Sequence, residues 1–170
     1  MCGITGFVQS GRGDARERLA PMVAALGHRG PDSSGFWHDA EAGVALGHAR
    51  LAIVDLSVQG AQPMHSACGR FVLTFNGEIY NHLALREKLG PLPWRGHSDT
   101  ETLLACFSRW GVVASLPMVV GMFALAVWDR EQRTLTLALD RFGEKPLYWG
   151  RTSAGSLVFA SELKALRVHP

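Results

Sequence analysis

With 170 residues, of which 47% are hydrophobic and 19% charged, the chain is long enough for one buried core and far from the composition of disordered proteins. Its 17 basic and 15 acidic residues leave a formal charge of +2 with no basic stripe or tail, which argues against nucleic acid or an anionic membrane surface as a partner. The longest apolar stretch, 116–128, is broken by Pro117 and Gly121 and is shorter than the roughly 20 residues of a spanning helix, and the start carries no signal-like segment, so a cytoplasmic domain is the expectation.

Residues 1–8 read as an apolar strand, and 9–14, with two glycines, as the turn after it. Leu19, Met22, Val23 and Leu26 recur on one helical face, with Gly27 placed to end the helix and Pro21 implying that it begins or bends there. Strand-like runs follow at 35–37, 44–54 and 71–75, separated by segments rich in Gly, Asp, Ser and Pro. Residues 81–89 look helical. A second helix begins where Ser98 and Glu101 have capping-box spacing before the apolar face of Leu103, Leu104 and Phe107. Runs 123–129 and 134–140 form a hairpin around a four-residue loop, and 148–150 pairs with 157–160 in the same way. The near-continuous apolar character of 122–128 and 135–139 suits strands covered on both faces, as in sheets held between helical layers. No repeat or low-complexity linker divides the chain, so one domain over 1–170 is expected.

Cys2 follows the initiator methionine and precedes Gly3, so removal of Met1 would leave a thiol and a free α-amine on one residue. Ordinary values of about 8 for the amine and 8.5 for the thiol let the amine take the thiol proton near neutral pH, so one residue supplies nucleophile and base. On position alone, a small buried hydrophobe near a chain end is the commoner role for such a cysteine. Cys68 and Cys106 are widely spaced from it and from each other, which suggests neither a disulfide framework nor a CxxC metal site; Cys68 reads as a loop residue and Cys106 as helix core. No pair of histidines has helical zinc spacing around a glutamate, so no metal is expected.

In order, the motifs MCGITG, HRGPD, HARLAIVD, QPM, FNGEIYN, GHSDTE, DRFGEKPLYW and FASELKAL resemble the glutaminase domain of glutamine-hydrolysing asparagine synthetases. That domain is a class II glutamine amidotransferase of the N-terminal-nucleophile hydrolase fold. The resemblance implies an α+β architecture, a four-layer αββα sandwich of two mainly antiparallel sheets between helical layers. It implies that Cys2 attacks the side-chain amide of glutamine while Asn76 and Gly77 form the oxyanion hole, and that no cofactor takes part.

Arg50 would grip the substrate α-carboxylate through its planar fork, and Asp99, assisted by Glu78, would hold the α-ammonium. Leu51, Ala52, Ile53 and Val54 would line the pocket. Each has a plainer reading: a surface salt bridge for Arg50, a helix-start carboxylate with an outward-facing, free side chain for Asp99, an Asn-Gly hairpin turn after residue 75 for Asn76 and Gly77, and core for Ile53. His28, Arg29 and Asp32 read as the frame of a turn near the site. The ATP-binding synthetase half of such proteins, with its pyrophosphate loop, has no counterpart here, so ammonia would go to an ATP-dependent synthetase domain or subunit, with 140–149 and 159–166 as partner-facing segments. Two other readings compete. One is a non-catalytic module that binds glutamine or a partner. The other is a hydrolase of other amides or penicillin-like compounds, which the pairing of Arg50 with Asp99 disfavours.

Overall fold

The structure, a computed structural model, describes residues 1–9, 14–53 and 56–169. Strand β1 (Gly3–Val8) is followed by helix α1 (Ala15–Ala24), strands β2 (Ser33–Asp39), β3 (Val44–Arg50), β4 (Met64–His65) and β5 (Phe71–Ile79), and helices α2 (His82–Leu89), α3 (Asp99–Trp110) and α4 (Val112–Ser115). Strands β6 (Gly121–Asp129), β7 (Thr134–Leu139), β8 (Tyr148–Arg151) and β9 (Leu157–Ala160) and helix α5 (Leu163–Arg167) complete the order. They build one five-stranded sheet, β2-β3-β1-β9-β8, and one four-stranded sheet, β4-β5-β6-β7, and every pairing is antiparallel.

Alternation along the strands assigns each face. In the first sheet Phe7, Ala45 and Ala49 turn outward onto Leu19, Met22, Val23 and Leu26, and Ala165 of α5 joins that core. Their neighbours Val44 and Leu46 turn inward and meet Val72, Ala126 and Trp128 of the second sheet. The opposite face of the second sheet, with Leu73, Phe75, Phe123 and Leu125, receives Leu103, Leu104 and Phe107 of α3 and Leu85 of α2. Helix, sheet, sheet and helix are thus stacked with a core in each gap, the α+β sandwich expected from the motifs.

Four local expectations are corrected. Helix α1 begins at Ala15, six residues before Pro21, because Asp14 accepts hydrogen bonds from the backbone N–H of Arg16 and Glu17 at 2.9 and 3.2 Å and caps the start. The third strand ends at Arg50 rather than running on to residue 54, and Val54 itself lies outside the described residues. No hairpin turn follows Phe75: β5 continues to Ile79, with Asn76 opposite Ala124 and Gly77 opposite Phe123. At Gly77 a Cβ would fall 2.2 Å from the Met122 carbonyl oxygen, so glycine is there for close strand approach rather than for a turn. Finally, β7 is an edge strand whose residues are half-buried or exposed, so it is not covered on both faces.

Two polar contacts join the sheets near one end of the cleft. Thr74 Oγ1 donates to the Gly47 carbonyl at 3.2 Å, and His48 Nε2 lies 3.2 Å from the Phe75 carbonyl. Burial lowers His48 from an ordinary 6.5 to about 4; the Phe75 contact opposes this and the nearby Arg50 charge adds to it. The ring is therefore neutral at physiological pH, with Nε2–H as the donor to Phe75. Since the unfolded chain binds a proton below about 6.5 that the folded ring refuses until about 4, stability falls as pH drops through that window. The loss is on the order of 3 kcal/mol across it. Replacing His48 with Gln removes this titration, and the difference between wild-type and variant stability, measured by denaturant unfolding from pH 7 to pH 4, is expected to shrink steadily with falling pH; parallel curves would contradict it.

Candidate active site

Inward-facing positions bring the chemistry together. Counting in steps of two along β3 from Val44 and Leu46 leads to His48 and Arg50, and along β5 from Val72 and Thr74 to Asn76 and Glu78. Gly3 lies opposite Ala49, which sets Cys2 beyond the last rung of the ladder and level with Arg50. The cleft between the sheets opens here into a cavity of about 120 Å³. Cys2, Arg50, Leu51, Ala52, Ile53, Asn76, Gly77, Glu78 and Asp99 all line it, as do Met1 and Lys145. Ile53 is 70% exposed, so it belongs to the rim and not to the core.

The backbone of Leu51 brackets the Cys2 thiol: its N–H donates to Sγ at 3.3 Å, and Sγ lies 3.4 Å from its carbonyl oxygen. Arg29 Nε donates to the Cys2 carbonyl at 3.0 Å, and its Nη1 pairs with Glu162 Oε1 at 3.0 Å. Burial would raise the Glu162 carboxyl, but hydrogen bonds from Arg29, His28 and Lys164 outweigh it and hold the group at about 2. Asp32 Oδ2 accepts the Ala52 N–H at 2.8 Å and fixes the segment leaving β3. His28, Arg29 and Asp32 thus frame the site, and the Arg29 contact ties the chain end in place.

Asn76 is 2% exposed and its side-chain Nδ2 has no hydrogen-bond partner. A buried amide donor left open costs about 1–3 kcal/mol, so its position in the wall of the cavity that holds the thiol marks a place for an acceptor. Asp99 departs from expectation. It opens α3, but its carboxylate is not turned outward: the residue is 5% exposed, Oδ2 accepts the Ile79 N–H and Oδ1 the Thr100 N–H, each at 2.8 Å. Burial raises its pKa, against the two backbone donors. Oδ1 also accepts from Thr100 Oγ1 at 3.4 Å, but Oδ2 keeps a lone pair, so Asp99 can still face a cation from the wall, while exposed Glu78 stands at the rim.

The start of α3 is held by several groups. Ser98 Oγ accepts the Glu101 N–H at 3.2 Å, and Glu101 accepts the N–H groups of Arg95 and Gly96 at 2.9 and 3.1 Å. From α2, Arg86 donates to the carbonyls of Gly96 and Ser98 and stacks 4.0 Å over Trp94.

Sequence reasoning missed several wall residues, among them His48, Gln62 and Lys145. His48 hides as an ordinary strand position. Gln62 belongs to the QPM motif; its Oε1 accepts the Phe75 N–H at 2.6 Å and its Nε2 donates to Thr100 Oγ1 at 3.4 Å, tying β5 to α3. Lys145, within DRFGEKPLYW, is 7% exposed, and its Nζ lies 3.1 Å from Met1 Sδ. Motif membership was the available signal for all three, since His48 opens HARLAIVD.

A larger cavity, about 260 Å³, lies beyond α3 beside Cys68, Leu89, Trp94 and Leu104, but it gathers none of these residues. Among the described residues, no cluster of His, Cys, Asp or Glu is arranged to hold a metal ion, and no helix is long and apolar enough to cross a membrane.

The family model described as the glutamine amidotransferase domain matches residues 1–170. The chain is 39% identical to asparagine synthetase (glutamine-hydrolyzing) 3 of Bacillus subtilis, over all of this chain and 28% of that protein. It is 38% identical to asparagine synthetase (glutamine-hydrolyzing) 1 of the same organism, over 99% of this chain and 27% of the relative. A third relative, amidase chry2 of Gibberella zeae, is 34% identical over 97% of this chain and 26% of its own length. The chain thus spans little more than a quarter of the relatives it matches. By full-length family match, supported by these relatives, the chain belongs to the glutamine amidotransferase domain family.

Proposed function

We propose that this domain hydrolyses the side-chain amide of glutamine to glutamate and ammonia, with Cys2 as an amino-terminal nucleophile. The observation that carries the reading is the unpartnered, buried Nδ2 of Asn76 in the same cavity as the Cys2 thiol. Once Met1 is removed, the α-amine of Cys2 takes the thiol proton and the thiolate attacks the amide carbon. Asn76 Nδ2 and the Gly77 N–H hold the oxyanion that forms. The ammonium of Cys2 returns its proton to the departing nitrogen, which leaves as ammonia and yields a thioester. Water, activated by the same amine, releases glutamate.

Substrate polarity fits the wall charges. Arg50 at one side takes the α-carboxylate, Asp99 and Glu78 at the other take the α-ammonium, and Leu51, Ala52 and Ile53 cover the chain between them. The chemistry needs no cofactor. We assign residues 1–170 to the glutaminase domain, acting in the cytoplasm, and the ammonia to an ATP-dependent amide synthetase domain or subunit of the asparagine synthetase kind. Relatives that carry that name support the assignment. The exposed side chains of Phe142, Trp149 and Leu163, at 86%, 65% and 51% accessibility, are apolar positions available to that partner.

One observation favours a second reading for the untrimmed chain. Met1 lines the cavity itself, and its peptide bond occupies the nitrogen the mechanism needs as base. With Met1 retained, the domain would bind glutamine or a partner without turnover.

Mass-verified protein lacking Met1 is expected to release glutamate from glutamine, and protein retaining Met1 to release none. Cys2→Ala should abolish release while circular dichroism and thermal midpoint stay at wild-type values; glutamate formation by that variant would overturn the assignment. Asn76→Ala should lower kcat by about 10²- to 10³-fold with a much smaller change in KM, read by steady-state glutaminase kinetics.

A further inference from the structure

We propose that Lys145 keeps the α-amine of Cys2 in its free-base form and so serves as an electrostatic positioning residue; this rests on the amide-hydrolysis reading above. Lys145 lies between β7 and β8, is 7% exposed, and lines the cavity together with Cys2. Charged lysines are almost never this buried without an anion. Here Nζ meets the Met1 thioether at 3.1 Å, an uncharged and weak acceptor, and among the described residues no carboxylate pairs with it. The adjacent anion, Asp140, is taken up elsewhere: its carboxylate accepts the backbone N–H groups of Phe123, Phe142, Glu144 and Lys145.

Loss of Met1 removes that thioether and creates an amine at Cys2. Five bonds separate the Cys2 nitrogen from the Met1 sulfur, so it lies within about 6 Å of the sulfur and about 9 Å of Nζ. Two ammonium groups on one cavity wall oppose each other, and the group with the weaker proton affinity yields. That is the α-amine, ordinarily at about 7.7–8.0 against about 10.4 for lysine.

The other charges facing Cys2 are Arg29, His48, Arg50, Glu78 and Asp99. Arg29 is matched by Glu162, and His48 is neutral. In the substrate complex Arg50 is matched by the α-carboxylate, and Asp99 with Glu78 by the α-ammonium. Lys145 is then the unmatched charge beside the amine. It acts on both proton transfers, because a less basic amine is free to accept the thiol proton near pH 7 and gives it up more readily to the departing ammonia.

The test is the pH dependence of kcat/KM for glutamine in mass-verified protein lacking Met1. Lys145→Met should move the acid limb up by about one pH unit, whereas Lys145→Arg should keep the wild-type limb. Superimposable profiles for wild type and Lys145→Met, or an equal shift in Lys145→Arg, would overturn the proposal. A second measurement reads the amine directly: NMR titration of the amine nitrogen in trimmed protein labelled with ¹⁵N-cysteine should give a midpoint about one pH unit lower in wild type than in Lys145→Met, and equal midpoints refute the role of Lys145. If trimmed wild-type protein releases no glutamate, the amide-hydrolysis reading fails, and the nitrogen titration still decides what Lys145 does to the amine.

Discussion

Six paired residues, from Gly3 with Ala49 to Val8 with Val44, lock β1 against β3, and the placement of the thiol follows from that register. A slip of one residue would turn Cys2 away from the cleft and bury Gly3 where a side chain belongs. The register is held from both sides. On the outer face a Cβ at Gly3 would meet Leu26 at 2.8 Å, and on the inner face one at Gly6 would meet Phe159 at 2.5 Å, so each glycine fits one face only. On its other edge β1 pairs with β9, which makes the first strand of the chain central to its sheet. A chain start that ordinarily frays is fixed more firmly than most loops.

Within that frame the cavity concentrates polar groups whose needs are incompletely met. Asn76 Nδ2 and His48 Nδ1 lack partners, and Lys145 has a thioether in place of an anion. Unpaired atoms also occur elsewhere, at Trp128 Nε1 and His82 Nδ1, so lack of a partner does not by itself define a site. The distinguishing feature is convergence on a single cavity that also holds a thiol, a guanidinium and a carboxylate. The stability forgone there is compensated in the three apolar cores and in locks such as Arg70 on Asp129, where Nε and Nη2 approach the carboxylate at 3.0–3.1 and 2.7 Å.

Period-2 and period-3.6 patterns made most elements legible: the hairpin of β6 and β7, the pairing of β8 with β9, and the capped start of α3 at Ser98. The errors have physical causes. Asn-Gly is a strong local turn signal, but Gly77 answers to a non-local requirement, the carbonyl of Met122 across the ladder, which no window around residue 77 contains. Pro21 reads as the start of the helix or a bend in it; it is no start, because the cap at Asp14 and the burial of Leu19 outweigh the one missing N–H. At the site, the family resemblance names Arg50, Asn76, Gly77 and Glu78, and the alternation of inward faces that gathers them is seen in the structure and not read from the sequence. Gln62 and Lys145, though in motifs of the same resemblance, arrive from irregular segments whose course is set by tertiary contacts.

In the mechanism proposed above the chain terminus is both nucleophile and base, which imposes a mechanical demand that a mid-chain nucleophile escapes. A residue with no preceding peptide has one neighbour fewer to hold it, and after trimming its amine is tethered only through its own Cα. The structure meets this with contacts that bypass the missing residue: Leu51 brackets the sulfur, and Arg29 grips the Cys2 carbonyl. Arg29 is itself held by Glu162, which also binds His28 and Lys164, so the loop after α1 and the start of α5 meet at the nucleophile. Because its three partners hold Glu162 at about 2, its carboxylate keeps its charge throughout the range in which the Cys2 amine is proposed to gain and lose its proton. Geometry is thereby separated from protonation in the proposed mechanism: Glu162, which holds Arg29 on the Cys2 carbonyl, keeps its charge where the Cys2 amine is proposed to titrate.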